Sequence, residues 1–180
     1  MKNLHYPFRL GSTSYIIPAD ILSNVNYISG SVDDIELVLF ETPGESNMPS
    51  PIDISILAEK AKCNNLTYTI HLPTDKKILS AEKGCNERFI DALCKTIDLC
   101  MPLSPYSYVV HLEGIKKTAS NASVSVWQDS CRAALSHIIT NTGIDPHLLC
   151  VENLAYPWEW FKPVVEQLGE NNMVNEEYGW

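Results

Sequence analysis

Short apolar runs alternate with helical patterns along this chain, about five times over. That alternation constrains the fold more than any other feature. Strands alternating with helices predict a parallel sheet whose crossovers are the helices. The first run, FRLGSTSYII (8–17), stops at Pro18, which has no N–H to give a neighbouring strand. A weak helical pattern follows over 19–29. The second run is IELVLF (35–40), short and rich in β-formers. After a Pro/Gly/Ser loop, residues 52–63 place Ile52, Ile56, Leu57 and Ala61 at helical spacing.

The third run is LTYTIHL (66–72), followed by a helix over 86–100 with Phe89, Ile90, Leu93, Ile97 and Cys100 as its apolar stripe. The fourth is YSYVVHL (106–112), followed by a looser stretch and a helix over about 124–140, with Gly143 as its stop. The fifth is LLCV (148–151), followed by a helix over about 158–168. Runs such as LVLF and LLCV fit strands buried on both faces. If the chain winds one way, right-handed crossovers place every helix outside one curling sheet, and the result is a barrel. A doubly wound sheet is the other solution. It lacks its usual signal here: the first turn carries only Gly11, with no G-x-G-x-x-G.

The strand ends carry the chemistry. The second run stops at Glu41, the third contains His71 at its end, the fourth ends at His111 and the fifth at Glu152, spaced by 30, 40 and 41 residues. A parallel sheet puts all these ends on one edge, where the active sites of barrels form. Two imidazoles and two carboxylates suit Zn²⁺, Mn²⁺, Fe²⁺ or Co²⁺ and match Ca²⁺ poorly. Polar residues at strand ends are also common simply because the ends approach solvent. Four in equivalent places argue for a shared site. His5, His137 and His147 are read as structural or surface residues. Ser12, Thr13, Ser14, Asn47, Asp75 and Asn153 stand near the expected mouth, where turn and cap chemistry competes with substrate contact. The aromatic cluster Tyr156, Trp158, Trp160 and Phe161 is better placed for packing the fifth helix than for walling a pocket.

Composition excludes some partners. A net charge of −9 argues against broad nucleic-acid binding, which needs basic surface. It leaves room for a small anionic substrate held by a metal or a few local cations. No apolar stretch approaches the ~20 residues of a membrane span. The N-terminus lacks the apolar core of a secretory signal. The six cysteines include no C-x-x-C pair and mostly fall in apolar periodic segments, as expected of reduced thiols in a cytoplasmic protein.

The stretch FRLGSTSYIIPADILSNVNYISGSVDDIELVLFE, with LTYTIHLPTD, VVHLEG and VENL, resembles the xylose-isomerase-like TIM barrels. That superfamily includes sugar-phosphate isomerases/epimerases and endonuclease IV-type apurinic endonucleases. The quoted segments are most similar to its cobamide-remodelling phosphodiesterase branch, over about residues 8–155. The resemblance implies a divalent metal (Mn, Zn, Fe or Co) held by His71, His111 and Glu152, with Glu41 near the site as a further ligand or general base. It implies hydrolysis of the nucleotide-loop phosphodiester of a cobamide. A sugar or sugar-phosphate isomerase, with Glu41 and Glu152 moving the proton, is the alternative.

The chain departs from the pattern at its end. A TIM barrel needs eight strands and typically ~250 residues; this chain has 180 residues and shows five strands. The superfamily's sixth strand ends in an Asp followed closely by a His, whereas the segment here, GENNMVNEEYGW (169–180), has neither and does not read as a buried strand. The expectation is a single incomplete barrel domain over 1–180, lacking three βα units through truncation, frameshift or gene splitting. Such a domain needs a partner chain to complete it, or is a non-catalytic remnant.

Overall fold

The computed structural model describes residues 7–78, 84–154, 156–166, 168 and 174–175. The elements alternate as β1 (Gly11–Thr13), α1 (Ile21–Ile28), β2 (Asp34–Val38), α2 (Pro51–Asn64), β3 (Thr67–His71), α3 (Cys85–Cys100), β4 (Ser107–His111), α4 (Asn121–Thr142), β5 (Leu149–Glu152), α5 (Trp158–Glu166) and β6 (Val174–Asn175). All strands are parallel, and their order in the single sheet is the order in the chain. A doubly wound sheet reverses its strand order at a switch point. This one never does, so it is a partial (β/α) TIM barrel with its helices packed successively along one face.

Local chemistry explains the element ends. Asp20 caps α1 by accepting a hydrogen bond from the Ser23 N–H. Ser50 and Asp53 form a reciprocal capping box at α2, with Pro51 at its first position. Asn65 and Gly143 take the left-handed conformation that closes α2 and α4.

The core lies between sheet and helices. Ile35, Leu37 and Leu39, Tyr68, Ile70 and Leu72, Tyr108, Val110 and Leu112, and Leu149 and Val151 are all buried there. They meet Val25, Leu57, Leu93, Ile97, Trp127 and Leu135 from the helices. Trp127 packs against Tyr156, Trp160 and Phe161, so three of the four expected aromatics do pack the fifth helix; Trp158 is 39% exposed.

The reading of strands buried on both faces holds for LLCV, where Leu149, Cys150 and Val151 are all buried, and is corrected for LVLF, where Val38 and Phe40 are only partly buried. Residues of the other parity (Asp34, Glu36, Val38, Thr69 and Ser107 among them) line a concave trough of about 800 Å³. Strand side chains alternate, so only one face can meet the helices. The tail adds one short element. Val174–Asn175 forms a two-residue strand beside β5, pairing Val151 with Val174 and Glu152 with Asn175. Backbone pairing uses N–H and C=O groups and tolerates polar side chains when a strand edge is on offer. The rest of 169–180, apart from 174–175, lies outside the described residues, as does His5. Among the described residues no helix is long and apolar enough to cross a membrane.

Candidate metal centre

Three of the four strand-end residues converge. His71, His111 and Glu152 each offer one ligand atom, and these atoms lie within 4.8 Å of one another. Sheet register brings this about. His111 sits directly opposite Glu152 on the neighbouring strand, while His71 is opposite Val109, two residues lower on β4. Parallel strands stagger in this way around a barrel, so side chains from successive strands meet on a diagonal. The two imidazole rings lie edge to face, with centroids 4.8 Å apart.

Both rings aim at one oxygen. Nε2 of His71 is 3.2 Å from Oε2 of Glu152, and Nε2 of His111 is 2.5 Å from the same atom. Nδ1 of His71 lies 3.0 Å from the Leu72 carbonyl oxygen, to which it donates. That second hydrogen bond fixes the tautomer and leaves Nε2 as the site-facing nitrogen. A neutral His71 so oriented would set a lone pair against a carboxylate oxygen. A cation must lie between them, either a proton on Nε2 or a metal ion. His71 is 9% exposed and Glu152 8% exposed, so water screens the contact poorly.

The electrostatics agree. Burial pushes His71 down, but its hydrogen bonds to Glu152 and the Leu72 carbonyl, with the charges of Glu36 and Glu152, outweigh burial and raise it above its ordinary value. Glu152 is held far below the usual carboxylate range by its hydrogen bonds from His111 and His71, against an opposing effect of burial. Two imidazoles and a carboxylate, desolvated and aimed at one point, fit a divalent transition metal with open coordination positions.

Glu41 is not brought to this cluster. Its strand ends at Val38, and Glu41 is exposed on the following loop, in a bridge with Ser46; its carbonyl oxygen accepts from Nζ of Lys76 at 3.3 Å. Glu36 and Asp34 are the second-strand carboxylates that do face the trough, and the charge of Glu36 acts on His71. Sequence reasoning passed over it because it lies inside the apolar run IELVLF. The available signal was parity: Glu36 shares it with Asp34 and Val38, which line the trough, whereas Glu41 has the parity of the helix-facing Leu37 and Leu39.

The other mouth candidates mostly serve the backbone. Ser14 Oγ accepts from the Val38 N–H at 3.2 Å. Asn47 accepts from the Phe40 N–H and donates to the Val38 carbonyl. Asn153 braces Tyr156 through both backbone polar groups, and Asp75 pairs with Lys76. Ser12 and Thr13 line the trough. His137 and His147 are exposed, away from the cluster.

The fold and the cluster together define a partial TIM barrel with a His/His/Glu constellation at the strands' C-terminal edge. Solved structures carry the same architecture. A D-tagatose 3-epimerase-like protein superposes with a TM-score of 0.71 at 20% identity, over 93% of this chain and 63% of its own. Endonuclease IV from Thermus thermophilus gives 0.63 at 15% identity, over 92% and 60%. A xylose isomerase domain protein from Planctomyces limnophilus gives 0.61 at 8% identity, over 96% and 62%. The chain thus spans under two thirds of the length of these xylose isomerase-like barrels, and at these identities the likeness is one of fold. No protein-family model and no curated protein matches the sequence.

Proposed function

We propose that this chain is part of a divalent-metal enzyme that hydrolyses a phosphodiester, with the nucleotide loop of a cobamide as its substrate. The convergence of His71, His111 and Glu152 on one point carries the metal part of this reading. The choice of substrate rests on the resemblance of the segments around β1, β2 and the strand ends to the cobamide-remodelling branch. Cytoplasmic location, and a partner chain that completes the barrel, belong to the same proposal.

Each residue has a task. His71 and His111 present Nε2, and Glu152 presents Oε2, to the cation. The Leu72 carbonyl keeps the His71 ring turned toward it. A bound divalent ion supplies Lewis-acid charge to a phosphoryl oxygen. Glu36, on the neighbouring strand β2, reinforces the positive character of His71. Glu41, exposed on the loop after β2, is the proposed general base, and Glu152 a ligand that also tunes the site.

A second reading, sugar or sugar-phosphate epimerisation, is favoured by the fold neighbours, which include a D-tagatose 3-epimerase-like protein. That chemistry asks for two carboxylates flanking the metal; Glu152 and Glu36 are the two on the concave face whose charges act on His71.

The test is to load the full chain separately with Zn, Mn, Fe and Co and assay it on a cobamide and on ketoses. Release of the nucleotide loop, abolished in His71→Ala and His111→Ala together with metal content, is the expected result. Ketose epimerisation without cobamide hydrolysis replaces the first reading by the second. Unchanged metal stoichiometry in both variants defeats either.

A further inference from the structure

Two of the βα loops repeat one pattern beyond the ligand set. His71-Leu72 is followed after three residues by Lys76-Lys77, and His111-Leu112 after three residues by Lys116-Lys117. Each lysine pair thus sits at the same offset from an inward-facing histidine, on loops that leave the C-terminal edge of neighbouring strands. Four of the chain's thirteen Lys and Arg residues stand in these two places, in a protein of net charge −9.

The two copies differ in what they do with their charge. Lys76 is paired with Asp75 and donates to the Glu41 carbonyl, and Lys77 lies 3.4 Å from Glu113. Lys116 and Lys117 are exposed and have no ion pair among the described residues. Their loop is nonetheless anchored on both sides. The Ile78 N–H donates to the Glu113 carbonyl at 2.8 Å, and the Tyr156 hydroxyl donates to the Ile115 carbonyl at 2.7 Å. Gly114 between them approaches the Ile78 carbonyl so closely that a Cβ would lie 1.4 Å from its oxygen. An anchored backbone carrying two uncommitted ammonium groups loses less entropy on binding an anion than a free loop does.

We propose that Lys116 and Lys117 bind a phosphate group of the substrate at the rim of the mouth, and so make the site selective for anionic over neutral ligands. This rests on the phosphodiester reading above and deepens it. Asp34 and Glu36 on the concave face oppose an anionic substrate, and Arg9 in the same lining is already engaged with the Asp33 carbonyl and Thr67.

The full chain, stripped of metal so that no ion in the histidine cluster binds the probe, is titrated with dimethyl phosphate and with inorganic phosphate at low ionic strength. Backbone amide shifts over residues 114–118 report binding. Lys116→Ala/Lys117→Ala is expected to weaken it by about tenfold, as for the loss of charge-assisted hydrogen bonds at an exposed site, with metal uptake in a separate assay unchanged. Lys116→Arg/Lys117→Arg keeps the affinity, and the control Lys60→Ala/Lys62→Ala on α2 leaves it unaltered. Response to the diester identifies an internal phosphodiester as the recognised group; response to inorganic phosphate alone points to a terminal phosphate. Absence of shifts at 114–118 with either probe, undiminished affinity in the double alanine variant, or equal loss in the α2 control overturns the proposal. Loss of metal binding in the histidine variants leaves these outcomes untouched, so the two readings fail separately.

Discussion

His71 carries the sharpest consequence at the level of single residues. Its folded pKa is raised above 6.5, so in the metal-free chain it contributes stability fully below that value and loses it as pH rises through the folded one. Glu152 is lowered from 4.5, so its contribution is present above that value and lost as pH falls through its folded one. The metal-free chain should therefore be most stable between 4.5 and 6.5 and lose melting temperature above that window. Metal binding has the opposite slope, because it needs Nε2 of both histidines unprotonated. Melting curves in chelator and in zinc, from pH 6 to about 8, are expected to diverge as pH rises. Parallel curves would contradict the assignment. At the same scale, Glu36→Gln and Glu41→Gln compare a carboxylate within β2 with the one on the loop that follows it. Glu36→Gln removes a charge that favours protonated His71, and should flatten the chelator curve; Glu41→Gln should leave it unchanged. A large loss of kcat in Glu41→Gln, with metal content intact, establishes Glu41 as the base.

Among the elements, the rim loops decide how firmly the mouth is shaped. Asn24 is 1% exposed and ties the β1–α1 loop to its helix, accepting from the Ile16 and Ile17 N–H groups and donating to the carbonyls of Ile17, Ala19 and Asp20. Asn24→Ala removes these part-buried hydrogen bonds and should cost about 2–3 kcal/mol in denaturant unfolding. Gly114 takes a φ of 148° against the Ile78 carbonyl. Gly114→Ala is expected to cost about 2–3 kcal/mol and to shift the amides of both adjoining loops. A cost within error for either variant would remove the loop from the account. The helices and central strands were legible in the sequence to within a few residues, because 3.6-residue spacing, Pro51 and Gly143 each act locally. The trough was not legible, since apolar runs alone do not say which face of a strand meets the helices. Three of the four strand-end residues met as expected; Glu41 did not, because β2 ends at Val38, before that position.

The whole molecule is a two-layer construction, with one apolar interface and one polar concavity. Neighbouring residues on the same strand should therefore respond very differently. Leu37 is fully buried beneath the helices, and Leu37→Ala should cost about 2–5 kcal/mol. Val38 lines the trough, and Val38→Ala should cost under about 1 kcal/mol. Equal costs would mean that the concave face is covered in solution. The same layering explains why the site is polar in an otherwise apolar sheet: the helix-facing parity supplies stability, which frees the other parity to carry Glu36, His71, His111 and Glu152.

Everything functional here depends on two imidazoles and one carboxylate sharing a single ion. X-ray absorption on the zinc-loaded full chain measures this directly. One zinc per chain is expected, with scattering from two imidazole nitrogens at about 2.0–2.1 Å and from carboxylate oxygen, and no bound zinc in His71→Ala/His111→Ala. Zinc without imidazole scattering, or the same stoichiometry in the double variant, would contradict it.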